Sequence, residues 1–173
     1  MATEQSRIDP VDDRVDHIRG PADGALILEY GDYECPYSRQ AYRAIEGVER
    51  RQAIRFAFRH FPLTEIHPHA LAASRAAEAA ALQGRFWEMH SLLFHRQKAL
   101  EDDDLRSYAS ELGLDADRFD ADRRGEQVVE RIGRDVRGAI GSGEVLGTPT
   151  LFIDGFLYDG PNDADSLARA LAR

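Results

Sequence analysis

The sequence has one cysteine, Cys35, and no apolar run close to the roughly 20 residues that cross a bilayer. A single cysteine excludes a disulfide within the chain, which is typical of proteins from a reducing compartment. The first 20 residues are polar and lack the apolar centre of a signal peptide. These absences predict a cytoplasmic protein without a membrane-spanning segment.

Positive charge is also scarce. The 173 residues include 31 acidic and 22 basic side chains, which gives a net charge of −9. Such a chain is repelled by phosphate backbones and by anionic lipid surfaces, so we expect neither nucleic acid nor a membrane as a partner. The hydrophobic share of 43% is enough for a core of ordinary size.

The first half of the pattern predicts a βαβ unit. Residues 1–13 look like a flexible tail, and an edge strand is expected near 15–18. Residues 25–30 form an apolar run typical of a buried strand. Residues 38–51 have helical periodicity, and apolar residues alternate from Ile54 onward as in a strand. Strand, helix and parallel strand in this order predict an α/β fold.

The second half is helical before strands return. Residues 67–143 predict four or five helices with amphipathic faces. Asp154-Gly155 lies between two apolar runs, which is a strong hairpin signal. A final helix is expected over residues 163–172, with Asn162 or Asp163 as its cap.

The residue with the clearest chemistry is Cys35, which follows a predicted strand and precedes a predicted helix. Pro36 suits the first helical turn because that position needs no N–H donor. The exposed amides of a helix N-terminus favour a thiolate and lower a cysteine pKa to about 3.5–7.5. We therefore expect Cys35 to be a reactive nucleophile rather than a buried apolar residue.

The segment Glu29-Tyr-Gly-Asp-Tyr-Glu-Cys-Pro-Tyr-Ser38 resembles the active-site segment of DsbA-like thioredoxin-fold proteins. Gly147-Thr148-Pro149-Thr150 resembles the cis-proline loop of that family, and the helical block resembles its inserted helical domain. The resemblance implies a thioredoxin fold with a central mixed sheet. It places the thioredoxin-fold domain at 14–62 and 144–173, and the inserted all-helical domain at 63–143.

Ser38 is where the sequence departs from this family. The redox members have Cys-x-x-Cys, whereas this chain has Cys35-Pro36-Tyr37-Ser38. A serine cannot resolve a mixed disulfide, so dithiol oxidation within the chain is excluded. A monothiol cycle remains, with an external thiol as the resolving reagent. Ser38 either donates a hydrogen bond to the Cys35 thiolate, or is an ordinary residue of the helix start, or was introduced to trap a complex.

The resemblance also implies roles for other residues. Thr148–Pro149 should be cis and face Cys35, where the Thr148 backbone would pair with an extended substrate. Pro36 and Tyr37 would contact the substrate beside the sulfur. Glu29 would be buried with a raised pKa and would relay protons.

The six histidines do not show the spacing of metal ligands, so we expect no metal site and read them as structural. We expect no cofactor beyond a low-molecular-weight thiol co-substrate such as glutathione or mycothiol. The partners would be protein or small-molecule thiols and disulfides, and the chain would be a monomer or a homodimer.

Three functions are compatible with these observations. The first is a monothiol thiol–disulfide oxidoreductase or thiol transferase that acts through Cys35. The second is a redox-silent module that binds extended peptides at the Pro149 loop. The third is an enzyme like a glutathione transferase or isomerase, with a deep pocket between Cys35–Ser38 and the helical block.

Overall fold

The computed structural model describes residues 5–172 and contains one five-stranded sheet with helices on both faces. The strands are β1 (His17–Arg19), β2 (Ala25–Gly31), β3 (Ile54–His60), β4 (Thr150–Ile153) and β5 (Phe156–Tyr158). Their order in the sheet is β1-β3-β2-β4-β5. The predicted α/β class and mixed central sheet are therefore confirmed, and the first strand begins two residues later than expected.

The central strand β2 is parallel to β3 and antiparallel to β4. Ile27 lies beside Phe56 and Ile153, and Glu29 lies beside Phe58 and Leu151. Strands buried on both faces read as continuous apolar runs, which explains the pattern of residues 25–30. The carboxyl end of β2 leads directly into the loop that carries Cys35.

The helices are α1 (Pro36–Glu49), α2 (Ala70–Ala81), α3 (Phe86–His95), α4 (Asp102–Glu111), α5 (Ala116–Asp122), α6 (Glu126–Ser142) and α7 (Ala164–Leu171). The predicted helical block is thus five helices, α2 to α6. Asp163 caps α7, since its carboxylate accepts the Ser166 amide at 2.8 Å. No helix among residues 5–172 is long and apolar enough to cross a membrane.

One hydrophobic core joins the helical block to the sheet. Sheet residues such as Ile27 and Phe58 share it with Phe94 of α3 and Phe119 of α5. A smaller cluster on the opposite face contains Leu28, Tyr30, Ala57, Ala139, Val145 and Phe152. The helical block thus packs on the sheet through a shared core.

The predicted flexible tail needs a correction. Residues 1–4 lie outside the described part of the chain, but residues 5–13 contact the sheet. Ile8 and Val11 pack against the smaller cluster. The buried guanidinium of Arg59 donates to the carbonyl oxygens of Asp9 and Pro10. An Arg59 without these acceptors would be a buried cation with unfilled donors, so residues 5–13 are held in place.

The hairpin between β4 and β5 agrees with the sequence. Asp154 and Gly155 have φ angles of 48° and 84°. Two successive positive φ angles give a tight turn whose twist matches that of the flanking strands. The Asp154 carboxylate also accepts the Leu26 amide at 2.9 Å, which ties the turn to β2.

Candidate active site

Cys35 lies at the end of the loop that connects β2 to α1, as the sequence predicts. It is the N-cap residue of α1, with extended backbone angles of −73° and 121°, and Pro36 occupies the first helical turn. The Cys35 carbonyl accepts the Arg39 amide at 3.1 Å, the first hydrogen bond of the helix. The residue is only 3% exposed, so the sulfur is screened from bulk water.

The Pro149 loop faces the sulfur. The Thr148–Pro149 peptide bond is cis, as expected. The Cys35 thiol donates to the Thr148 carbonyl oxygen, with 3.4 Å between Sγ and O. Thr150 supports the loop because its hydroxyl donates to the Gly147 carbonyl at 2.7 Å. The structure thus brings Cys35, Thr148 and Pro149 into one site.

Pro36 and Tyr37 are exposed at the surface of this site. Tyr37 is 66% exposed, which is unusual for an aromatic side chain next to a buried cysteine. Both residues are therefore accessible to a molecule that approaches Cys35.

Ser38 makes its hydrogen bond to the backbone and not to Cys35. It is fully buried, and its hydroxyl accepts the Asp32 amide at 3.2 Å. Within residues 5–172, no hydrogen bond joins Ser38 to Cys35. The hydroxyl therefore closes the active-site loop onto α1.

Asp32 organises the loop and was missed by the sequence analysis. Its buried carboxylate accepts the amides of Glu34 at 2.8 Å and Leu63 at 2.9 Å. The same carboxylate contacts His67 Nδ1 at 2.7 Å. The Asp32 carbonyl accepts the Cys35 amide at 3.1 Å, so this one residue connects the loop to the chain after β3.

Gln97, just after α3, fixes the loop from the other side. Its amide nitrogen donates to the carbonyls of Tyr33 and Cys35, each at 2.8 Å. Tyr33 is fully buried, and its hydroxyl lies 2.9 Å from His90 Nδ1. Burial raises the pKa of Tyr33 and lowers the pKa of His90, so both groups are neutral.

Glu29 is buried as expected. Its side chain is fully enclosed, and neither carboxylate oxygen has a hydrogen-bond partner among residues 5–172. Burial raises the pKa of Glu29 to about 8, a shift that the positive charge of Arg19 only partly offsets. The carboxyl group therefore carries its proton at neutral pH and titrates in the pH range in which thiols ionise.

Three side chains that the sequence analysis did not link come together away from Cys35. His17 Nε2 and His60 Nε2 lie 2.7 and 2.6 Å from the same oxygen of Glu78. The nitrogen and oxygen atoms of this trio lie within 4.8 Å of one another, which is close enough for a metal ion. Both imidazoles can donate to the carboxylate, so hydrogen bonds alone account for the arrangement. The cluster links β1, β3 and α2, and the absence of a metal site stays a prediction.

The sheet order, the cysteine at the start of α1 and the cis-proline loop opposite it define a thioredoxin-like domain. The model of the DSBA-like thioredoxin domain matches residues 26–172. The chain therefore belongs to the DSBA-like thioredoxin domain family.

Solved structures agree with this assignment. The chain is similar to a thioredoxin-like oxidoreductase from Silicibacter pomeroyi, with a TM-score of 0.81 and 26% identity over 93% of this chain and 92% of that one. The oxidised form of BdbD from Bacillus subtilis has a TM-score of 0.82 over 98% and 97% of the two chains. At 15% identity, that second likeness concerns the fold alone.

Curated relatives are much longer proteins. The chain is 47% identical over 167 residues to Na(+)/H(+) antiporter NhaA 3 of Salinispora tropica. It is 45% identical over 167 residues to NhaA 1 of Mycolicibacterium vanbaalenii. These matches cover 94% of this chain but 25% and 27% of the antiporters, so the chain spans about a quarter of their length.

Proposed function

We propose that the chain catalyses thiol–disulfide exchange by a monothiol cycle in which Cys35 is the catalytic residue. The observation that carries this proposal is the position of the only cysteine, at the start of α1 and opposite the cis-proline loop. Thiolate is the attacking species, and a helix N-terminus stabilises it. Ser38 supplies no second thiol, so the resolving thiol comes from outside the chain.

The cycle has two exchange steps that conserve electrons and atoms. The Cys35 thiolate attacks one sulfur of a disulfide R–S–S–R′, forms Cys35–S–S–R and releases R′–S⁻. An external thiolate then attacks the R sulfur, forms a new disulfide and releases the Cys35 thiolate. Glutathione or mycothiol would serve as the external thiol, in the reducing cytoplasm.

The neighbouring residues have distinct parts in this proposal. Pro36 and Tyr37 contact the substrate, and the Thr148–Pro149 backbone aligns an extended disulfide-bearing chain. The thiol donates to Thr148 O in the resting state, so substrate would replace that contact. Glu29 exchanges a proton with the site, which its pKa of about 8 supports.

A redox-silent binding module is the second candidate, and the 3% exposure of Cys35 favours it. The two candidates differ in what Cys35→Ala does: exchange disappears, whereas peptide binding at the Pro149 loop survives. A transferase or isomerase that uses Ser38 as a catalytic hydroxyl is disfavoured, since that hydroxyl is buried and bonded to the Asp32 amide.

The test is turnover with bis(2-hydroxyethyl) disulfide and glutathione, combined with intact-mass detection of the mixed disulfide. We expect a mixed disulfide on the natural chain, and none on Cys35→Ala. Ser38→Cys is the matched gain-of-function variant, and it should form an internal disulfide in place of the mixed one. If the folded natural chain gives no mixed disulfide, the monothiol cycle is wrong and the binding module stands.

A further inference from the structure

A cavity of about 300 Å³ lies between the first turn of α1 and the segment after α3. It is lined by Arg39, His95, Arg96, Gln97, Lys98 and Ala99. None of these residues is acidic, although the whole chain has 31 acidic residues and a net charge of −9. The cavity is therefore a local concentration of positive charge on a negatively charged protein.

Two of its cations have no partner. Within residues 5–172, neither Arg39 nor Lys98 takes part in an ion pair, and the buried Nε of Arg39 has no hydrogen-bond acceptor. Lys98 is the one lysine in the sequence. Arg96 differs, because it forms a two-point ion pair with Glu111 at 2.7 and 2.9 Å. Arg39 and Lys98 are thus free to bind an anion.

The cavity is joined to the reactive residue by hydrogen bonds. The Gln97 side chain and the Arg39 amide both donate to the Cys35 carbonyl, at 2.8 and 3.1 Å. Two residues that line the cavity, Arg39 and Gln97, therefore contact the backbone of Cys35 directly.

We infer that this cavity binds the carboxylates of an acidic low-molecular-weight disulfide or thiol, the class to which glutathione belongs, and thereby selects the co-substrate. The inference rests on the proposed exchange function and specifies the chemistry of its small reactant. Arg39 and Lys98 are the binding residues, because charge-assisted hydrogen bonds from cations are the strong contacts for carboxylates. A neutral sugar thiol such as mycothiol would gain nothing from them.

The reaction keeps the balance of the proposed cycle. The Cys35 thiolate attacks oxidised glutathione, forms Cys35–S–S–glutathione and releases one glutathione thiolate. The bound glutathionyl group keeps its carboxylates in the cavity while a second glutathione thiolate attacks its sulfur. That attack releases oxidised glutathione and restores the Cys35 thiolate.

The first test compares three disulfides that differ in charge: oxidised glutathione, neutral bis(2-hydroxyethyl) disulfide and cationic cystamine. The readout is the second-order rate of mixed-disulfide formation on Cys35, measured by intact mass. We expect Arg39→Gln and Lys98→Gln each to slow the reaction of Cys35 with oxidised glutathione about tenfold, which corresponds to about 1.4 kcal/mol. The rate with the neutral disulfide should change less than about twofold. Lys98→Arg, which keeps the positive charge, should react with oxidised glutathione at the rate of the unchanged chain.

Arg43→Gln is the matched control, since it removes the same charge from α1 at an exposed position outside the cavity. Equal slowing of oxidised glutathione in Arg43→Gln and Arg39→Gln would show that net charge, and not the cavity, is responsible. That result, or equal effects on all three disulfides, would overturn the inference.

A second measurement separates this inference from the exchange function. S-methylglutathione carries the carboxylates but no reactive sulfur, so it is titrated calorimetrically into the Cys35→Ala variant. If Lys98→Gln weakens this binding about tenfold, the result supports carboxylate binding in the cavity even if no disulfide reacts. Binding that is absent, or unchanged by Lys98→Gln, refutes it even if the exchange reaction is observed.

Discussion

Replacing Glu29 by glutamine should make the protein more resistant to rising pH. The carboxyl group is fully buried, and its pKa is about 8, against an ordinary value of 4.5. Because the folded pKa is raised, the unfolded chain releases this proton first as the pH increases. The contribution of Glu29 to stability is therefore intact below pH 4.5 and is lost as the pH rises to about 8.

The size of this effect follows from the two pKa values. Each pH unit between 4.5 and 8 corresponds to about 1.4 kcal/mol, so complete ionisation costs about 5 kcal/mol as an upper bound. At pH 5 less than about 1 kcal/mol has been lost, and at pH 8.5 nearly all of it has. The free energy of unfolding of Glu29→Gln, relative to the natural chain, should thus rise by about 4 kcal/mol over this interval.

The assay is urea unfolding of both proteins from pH 5 to 8.5 in the presence of a reductant. Other titrating groups affect both proteins equally, so the difference between their unfolding free energies isolates Glu29. Glu88→Gln is the matched control, because it makes the same change on the surface of α3 and should give no such trend. A Glu29→Gln difference that varies by less than about 1 kcal/mol over this range would refute the reasoning.

Three further substitutions test the surroundings of the site by urea unfolding. Asp32→Asn should lower the free energy of unfolding by about 2–3 kcal/mol. The buried carboxylate accepts from three donors, whereas the asparagine amide has an NH₂ group that is itself a donor. A loss below about 0.5 kcal/mol would contradict this. Gln97→Ala leaves the Tyr33 and Cys35 carbonyls without this donor and should cost about 1–2 kcal/mol, with a change in the alkylation rate of Cys35 that a distant surface Gln→Ala does not cause. Arg59→Met removes the guanidinium that forms a two-point ion pair with the buried Asp16 carboxylate and should cost about 3–5 kcal/mol at pH 7, much of which should return when Asp16→Asn is added.

The sequence predicted the elements that local chemistry determines. Cys35 followed by Pro36 marks a helix start whichever partner packs against it. Asp154-Gly155 specifies a tight turn because only a few residue pairs accept two positive φ angles. The long apolar run of β2 indicates a strand that is buried on both faces. Because Glu29 lies within this run, the sequence predicted it inside a strand. These features depend on neighbours a few residues away, so a single sequence contains them.

The contacts that hold the site could not be predicted in this way. Gln97 meets the Cys35 carbonyl across 62 residues, and Asp32 meets the Leu63 amide across 31. A polar residue in a loop carries no local sign of such a distant partner. Ser38 shows the same limit, since its buried hydroxyl bonds to the Asp32 amide and not to the sulfur beside it. His17 and His60 have no ligand spacing along the chain, yet the pairing of β1 with β3 brings them to one carboxylate.

These long-range contacts indicate that the helical insertion holds the active-site loop in position. The loop between β2 and α1 has few residues of its own, and a short loop alone would leave the sulfur in many positions. Gln97 and His90 come from the insertion, and each bonds to the loop at a different point. A reactive group held by packed elements loses less freedom when substrate binds. The insertion therefore fixes Cys35 against the cis-proline loop, and the segment after α3 that supplies Gln97 also supplies Lys98 to the cavity. Position and charge at the site come from one piece of chain, so a change in this segment should alter reactivity and co-substrate preference together.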